Sequence, residues 1–453
     1  MDSTQILSEK LIEDVKGYIQ ERNRVTLMRL ISDMPPADVA DLIEHLNLEE
    51  RLYIFELLEP QGAGEVLIEI EAPVQGSILS ELDTQVISDI VQELDSDDAA
   101  DLVGDLPAER AKEIMEAVED QVSAELKRLL PYPEDTAGGI MALEYVAVKA
   151  DVTIQEAINT VREKREEVEN VYYLFVVDDS NKLMGVVSLK DLVLEPPERK
   201  VRDVMNPEVV SVGVDRDQEE VYHLVKKYDL VSIPVVDEEG RLVGRITHDD
   251  IIDVIEEEAD EDMAFMAGVI DQEITDVSTL RISRARLPWL MLGLMGELIA
   301  AMVVYHFVAS LEKIIALACF FPVIMAMGGS TGTQASTVVV RGLATGDISM
   351  LHIGKRLWVE MRAALLNGLI IGSILGVIAG FWLSDYRLGM IIGSAMIIII
   401  LNAGFIGSAV PLVMKKINID PALATGPFVT TSNDIFGLLI YLGLITLFFK
   451  IST

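Results

Sequence analysis

Asp434 is the residue most able to do chemistry. It stands in PFVTTSNDIFGLLIYLGLITLFFK, residues 427–450, an otherwise apolar stretch of about the 20 residues that a bilayer core requires. Asn433 precedes it, and Thr430, Thr431 and Ser432 add a run of hydroxyls. A carboxylate at membrane depth costs roughly 2.5–3.5 kcal/mol on insertion scales, so such residues face a water-filled path or a partner. An intramembrane acid among small and hydroxylated residues suggests a cation path. The plainer alternative is an acid lying shallow in the interface and simply hydrated.

A second stretch has similar chemistry. After ALACFFPVIMAM the chain runs GGSTGTQAST, small and hydroxylated residues still at membrane depth. Small residues let helices approach closely. Carbonyls exposed beside glycines also line pores where irregular backbone is tolerated. Pro322, Pro411 and Pro427 are expected to free further carbonyls. Glu297 is another acid within an apolar span, and the sequence assigns it no role.

The elements that position these residues begin with a division of charge. The 453-residue chain holds 74 acids and 36 bases, of which 7 and 9 fall in residues 287–453, leaving 67 and 27 in residues 1–286. An acidic half of net charge −40 thus precedes an apolar half of net charge +2. Such acidity argues against nucleic acid and anionic lipid as partners and suits a protein that meets cations. The single cysteine, Cys319, excludes an intrachain disulfide. The amino terminus, MDSTQILSEK, has no apolar signal-peptide core, so the acidic half is expected in the cytoplasm.

Residues 1–130 show apolar residues at helical spacing in short segments, and ADVADLIEHL (37–46) is echoed by DDAADLVGDL (97–106) at an offset of 60. This predicts a superhelical domain of stacked short helices. From about residue 138 the pattern turns to β-branched runs alternating with helices. VVDDSNKLMGVVSLKDLV (176–193) matches VVDEEGRLVGRITHDDII (235–252) at a shift of 59. Each copy predicts a strand, a turn at Asn181 or Gly240, a second strand and a helix. Ser188-x-x-Asp191 and Thr247-x-x-Asp250 have capping-box spacing. A helix over 251–270 follows, with an acidic run from Glu256 to Asp262. That run is either a solvated face or a joint that cations must neutralise.

Five apolar spans are expected at about 287–310, 314–340, 363–383, 388–414 and 427–449. With the amino terminus inside, nine basic residues (Arg281, Arg284, Arg286, Arg341, Lys355, Arg356, Arg362, Lys415 and Lys416) lie on the cytoplasmic side. Three (Lys313, Arg387 and Lys450) lie outside, which satisfies the positive-inside rule and puts the carboxyl terminus outside.

The twin copies over residues 138–255 resemble tandem CBS domains, because the G-h-h-[ST]-x-x-D element occurs twice in register. That resemblance implies ATP as a regulatory ligand near Tyr173, Lys190 and Asp191; Leu230 stands where some relatives carry an aromatic residue. FPVIMAMGGSTGTQ, the DPAL element at 420–423 and SNDIFGLLIY at 432–441 make the whole chain similar to the MgtE-type magnesium channels and transporters. The resemblance implies a multidomain fold: an α-helical superhelical N-terminal domain (1–130), α/β tandem CBS domains (131–200 and 201–255), a connecting helix (256–280) and a five-span α-helical membrane domain (281–453). It also implies a homodimer in the cell membrane, with a Mg²⁺ path between the second and fifth spans and Asp434 as the ion site. Gly426 stands where some members place Asn beside the path. Regulatory Mg²⁺ is implied at Glu65, Asp97 and Asp101, at Glu219, Asp229, Asp250 and Asp253, at Glu258, Glu261 and Asp262, and at Asp420. No HExxH, P-loop, CxxC or nucleophile–base pair occurs, so an enzyme is not expected. Three functions compete: a Mg²⁺ channel closed by cytoplasmic Mg²⁺, a proton-coupled divalent cation transporter regulated by adenine nucleotides, and a membrane-anchored nucleotide sensor. Polar residues clustered in two spans disfavour the last.

Overall fold

The computed structural model describes residues 8–165, 168, 170–267, 279–348, 350, 353–417, 419–424 and 426–449. It divides into two units, 1–256 and 257–453. In the first, ten helices from Glu9–Gln20 to Asp120–Leu129 follow one another across short turns. Prolines and side-chain caps set their starts. Pro36 and Pro60 stand in the first turn of their helices, where a missing N–H costs nothing. Asn47 and Glu50 close a reciprocal capping box. The echoed sequences form the helices Pro36–Glu44 and Ser96–Gly104, so the offset of 60 is a structural repeat.

Two three-stranded sheets follow. The first comprises β1 (Ala147–Lys149), β2 (Tyr173–Val177) and β3 (Leu183–Ser188); the second comprises β4 (Val212–Gly213), β5 (Ser232–Val236) and β6 (Leu242–Thr247). In both, the first two strands are parallel and the last two antiparallel. The register slips at Val176/Val177 and again, 59 residues on, at Val235/Val236. The hairpin turns use a left-handed residue at corresponding places, Asn181 with φ 62° and Gly240 with φ 77°. The cores of the two copies differ. Leu174, Val176 and Val187 belong to a separate core built mainly from the first copy and closed by Val201. Val212, Val235, Ile246 and Ile251 of the second share one continuous core with the N-terminal helices.

The long helix His248–Ala267 continues directly from β6. It begins eight residues before the expected connecting helix, because Thr247 and Asp250 cap it at once. The rest of that expected segment, 268–278, lies outside the described residues.

Among the described residues of the second unit, five helices are long and apolar enough to cross a membrane: Ile282–His306, Ile315–Ala344, Ile353–Trp382, Tyr386–Lys416 and Phe428–Phe448. The third starts ten residues before its expected start at 363, since the charged first turns from Ile353 are helical too. Lys450 and the side chains of Arg281 and Lys313, which entered the orientation argument, lie outside the description. Two expectations about the backbone are corrected. The second span is an unbroken helix, Phe321–Ala344, through GGSTGTQ, so its carbonyls are committed to helical bonds. Pro322 and Pro427 stand in the first turns of their helices and free nothing within them. Pro411 does lie inside a helix, as does Pro288, which the sequence reading passed over.

Glycines set the packing of the third and fourth spans. Gly368, Gly372, Gly376 and Gly380 form a stripe at i,i+4 spacing against Gly389, Gly393 and Ile397. A Cβ on Gly389 would lie 2.5 Å from the Gly376 carbonyl oxygen and 2.6 Å from the Gly380 backbone. Backbone atoms cannot swing aside as a side chain does. Gly389→Val should therefore destabilise the membrane unit by about 1–3 kcal/mol through overpacking, read as a lower thermal midpoint in detergent; an unchanged midpoint would show that the spans part freely.

Candidate ion pathway and acidic cluster

Asp434 lies seven residues, about 10 Å, into the helix Pro427–Phe449. It lines an open cavity of about 570 Å³ together with Thr430 of the same helix and Met325, Ala326, Gly329, Ser330, Thr333 and Gln334 of the second span. The two stretches singled out by composition thus meet at one cavity. Its surface is mostly small residues, hydroxyls, one amide and one carboxyl. The side chain of Asp434 also hydrogen-bonds with Glu297 of the first span, so the acid with no assigned role sits beside the principal one. Thr430 and Thr331 bond back to the carbonyls of Gly426 and Met327, four residues before each.

The glycines of the second span split into two faces. Gly329 lines the cavity, and a Cβ there would meet nothing within 4 Å. Gly328 and Gly332 instead face the fifth span, where a Cβ on Gly332 would collide with the Asn433 amide. Asn433 is 2% exposed, and neither its Oδ1 nor its Nδ2 has a hydrogen-bond partner among the described residues. Leaving a polar group buried without a partner costs about 1–3 kcal/mol. Gly407 of the fourth span presses on the Gly332 backbone from another side. Higher up, the buried Tyr441 hydroxyl donates to the Leu317 carbonyl at 3.1 Å and pins the fifth span to the start of the second.

In the soluble unit, burial and charge meet at the helix Ser96–Gly104. Asp97 is 8% exposed, and Asp95, Asp98, Glu144 and Asp250 act on it electrostatically. Asp98 feels Asp250, Asp95, Asp101 and Asp253. Burial first, and these like charges second, hold Asp97 well above the usual carboxylate range and push Asp98 up to about 7. Burial also raises Asp250 and Asp253. Asp250 is fixed here because its Oδ2 accepts from the Thr247 N–H at 2.7 Å and from the Thr247 hydroxyl at 2.9 Å. The Ser96 hydroxyl bonds Glu144 at 2.7 Å and accepts from the Leu143 N–H at 2.8 Å, tying the helix to the segment entering β1.

Four of the expected regulatory acids, Asp97, Asp101, Asp250 and Asp253, therefore converge. Asp95, Asp98, Glu144 and Glu69 join them, and nothing in the local pattern beyond the density of acids marks these four. The other expected acids lie elsewhere. Glu65 is exposed and accepts from Gln61 at 3.1 Å. Glu219 pairs with His223 at 3.6 Å, and Asp229 is the left-handed cap ending the helix Gln218–Tyr228. Glu258, Glu261 and Asp262 share one face of the long helix at i, i+3 and i+4. Asp420 accepts from the Ala422 N–H at 2.8 Å. Among the described residues no three Asp, Glu, His or Cys side chains close into a metal cage. In the first CBS copy, Tyr173 lies opposite Ser188 across the strands. The Ser188 hydroxyl donates to Asp191 Oδ2 at 2.6 Å, and Lys190 is exposed on the next turn.

The chain matches known proteins along most of its length. Residues 321–444 match MgtE, a divalent cation transporter family; residues 34–135 match the MgtE intracellular N domain; residues 137–198 and 201–257 match the CBS domain. The magnesium transporter MgtE of Thermus thermophilus is 36% identical over 441 residues, which cover 96% of this chain and 98% of that protein. That of Bacillus subtilis is 36% identical over 334 residues, 74% of each chain. The crystal structure of the cytosolic domain of the Mg²⁺ channel MgtE in complex with ATP superposes with a TM-score of 0.52 at 37% identity, covering 54% of this chain and 100% of that one. The soluble part of a magnesium transporter gives 0.51 at 29% identity, covering 55% and 99%.

The raised carboxyls give the acidic cluster a signed pH dependence. A folded-state pKa above the unfolded value means that the folded protein binds the proton more tightly. The contribution of Asp98 is then present below about pH 4 and lost as pH rises through about 7. Without divalent cations, the unfolding midpoint of the full chain should fall between those limits, and Asp98→Asn should flatten the slope. Identical slopes for the two proteins would remove Asp98 from the cluster's energetics.

Proposed function

The chain belongs to the MgtE family of divalent cation transporters, and on that premise we propose that it carries Mg²⁺ across the cell membrane, with Asp434 as the ion site of the path. The meeting of Asp434 with the small, hydroxylated face of the second span carries this reading. Mg²⁺ gives up its water reluctantly and favours one or two carboxylates with several waters retained. A roomy cavity lined by Ser330, Thr333, Thr430 and Asp434 suits a hydrated ion better than a stripped one. The cavity is open along one side, which fits a path completed by a second copy of the chain. We further infer domains at 1–130, 131–200, 201–255, 256–280 and 281–453, a cytoplasmic amino terminus and an outside carboxyl terminus.

Gating by cytoplasmic Mg²⁺ follows from the acidic cluster. Two unit charges 4 Å apart interact by roughly 4 kcal/mol at an effective dielectric of 20. Asp97, Asp98, Asp250 and Asp253 are forced together by the shared core beneath them, and a divalent cation relieves the repulsion. Mg²⁺ that binds the packed arrangement better than the separated one shifts the balance towards it. Glu65, Asp101, Glu219, Asp229, Glu258, Glu261, Asp262 and Asp420 would supply further sites in that arrangement. Tyr173, Lys190 and Asp191 would hold ATP at the first CBS copy, with Asp191 released from Ser188 to meet the ribose. A second reading, exchange of Mg²⁺ for protons, draws on the Glu297–Asp434 hydrogen bond, since two bonded carboxyls need a proton between them.

Asp434→Ala and Asp434→Asn should each abolish Mg²⁺ uptake into liposomes while leaving the thermal midpoint in place. Gly329→Leu should cut flux at least tenfold with equal stability, because its side chain would enter open space. Native flux in any of the three would refute the assignment of the path. Currents measured under a varied pH gradient separate the two readings: a channel's reversal potential follows Mg²⁺ alone, whereas an exchanger's moves with pH.

The triple variant Asp97→Asn, Asp250→Asn, Glu258→Gln should keep conducting at Mg²⁺ concentrations that close the native protein, since the bridged carboxylates are gone. Protease protection of the helix His248–Ala267, titrated with Mg²⁺, should shift to higher concentration in the variant. Superimposable curves would remove these three acids from gating.

A further inference from the structure

Asn433 is polar where the structure makes no use of polarity. Its side chain fills the groove formed by Gly328 and Gly332 of the second span, beside Val429, and is 2% exposed. Both ends of the amide lack a hydrogen-bond partner among the described residues. An amide offers two donors and two acceptor lone pairs, and in a groove of this shape an apolar side chain would pack as well without the penalty. Buried polar groups without partners are rare, and each calls for an explanation.

The helix next to it supplies one. Consecutive residues are separated by about 100° around a helix, so Asn433 and Asp434 occupy adjacent faces of the fifth span. The same step separates Gly328 from Gly329 and Gly332 from Thr333 on the second span. Gly329 and Thr333 line the cavity with Asp434, while Gly328 and Gly332 hold Asn433. Groove and cavity are therefore neighbouring faces of the same pair of helices. Gly332 carries no side chain that would bar Asn433 from the adjoining face, so a partial rotation or parting of the two spans would bring the amide into the cavity.

We propose that Asn433 is a second residue of the ion path, stored dry between spans two and five in the arrangement described here and turned into the cavity when the path conducts. There its Oδ1 accepts hydrogen bonds from the water shell of the cation that Asp434 attracts. The desolvation penalty of the stored amide and its hydration in the cavity both favour the conducting arrangement. The inference rests on the path assigned above, but its test does not depend on the role of Asp434.

Asn433→Cys in a Cys319→Ser background, reconstituted as the full chain, should react with a small charged methanethiosulfonate at least tenfold faster at low Mg²⁺ than at high Mg²⁺. Ile399→Cys, buried beside the same groove, is the dry control. Labelling of the Asn433→Cys thiol no faster than this control overturns the proposal. Asn433→Thr and Asn433→Val match in shape and differ by a hydroxyl, so Mg²⁺ flux through the Val variant should be at least tenfold lower; equal flux overturns the proposal even if the thiol is labelled. Should the Val variant fail to fold, the labelling rates decide alone. Water access to position 433 together with native flux in Asp434→Ala would retain the moving amide and reject the ion site, so the two failures are distinguishable.

Discussion

An ionised carboxylate cannot be left in hydrocarbon, and the membrane unit is arranged around that constraint. An acid at that depth must face water, a cation or another polar group, and Asp434 meets both Glu297 and the open cavity. The second span meets the need by presenting small residues and hydroxyls where it faces Asp434 and by remaining a regular helix throughout. Regularity matters because a helix satisfies its own backbone in lipid. The polarity of the cavity therefore comes from side chains and from the absence of bulky ones. The glycine stripe joining the third and fourth spans holds a rigid pair of helices beside it.

The soluble unit meets the opposite difficulty. Its N-terminal helices and second CBS copy share one apolar core, and burial of that core draws their surfaces together. The surfaces carry Asp97, Asp98, Asp250 and Asp253. Hydrophobic attraction is indifferent to cations, whereas the carboxylate repulsion is relieved by a proton or a divalent ion. An arrangement balanced between the two would answer to the cation concentration outside it, which is what the proposed gating requires. The same crowding, added to burial, holds the Asp97 and Asp98 carboxyls above their ordinary range.

Sequence period and residue type made much of this legible. The shift of 59 between VVDDSNKLMG and VVDEEGRLVG reappears in the strands, in the left-handed turns at Asn181 and Gly240, and in the slipped registers. Asp434 stood out because a charge in an apolar run is rare. What opposes a given face was not legible. Gly328 and Gly329 are equivalent as letters, yet one packs against the fifth span and the other opens on the cavity. Asp98 and Glu144 joined the acidic cluster through contacts between residues far apart in the chain, which no local pattern encodes. Pro322 and Pro427 misled because proline signals a broken helix and a begun one equally well.

The two CBS copies show how one element takes on two tasks. Each has a hydroxyl and an acid three residues apart opening a helix. In the first copy, whose main core is separate from that of the N-terminal helices, Ser188 and Asp191 remain at a strand end beside Tyr173. In the second, which shares its core with the N-terminal helices, Thr247 turns Asp250 towards Asp97 and Asp98. The copies are joined at their hairpins, where Asn181 donates to the Leu242 carbonyl at 2.7 Å and the Leu183 N–H to the Gly240 carbonyl at 3.1 Å. A ligand that stiffened the first hairpin would have a direct route to the second through these bonds, and so to the strand that carries Thr247. Coupling of this kind is reciprocal: if a nucleotide at Asp191 and a cation at Asp250 favour the same arrangement, each tightens the binding of the other by the same factor.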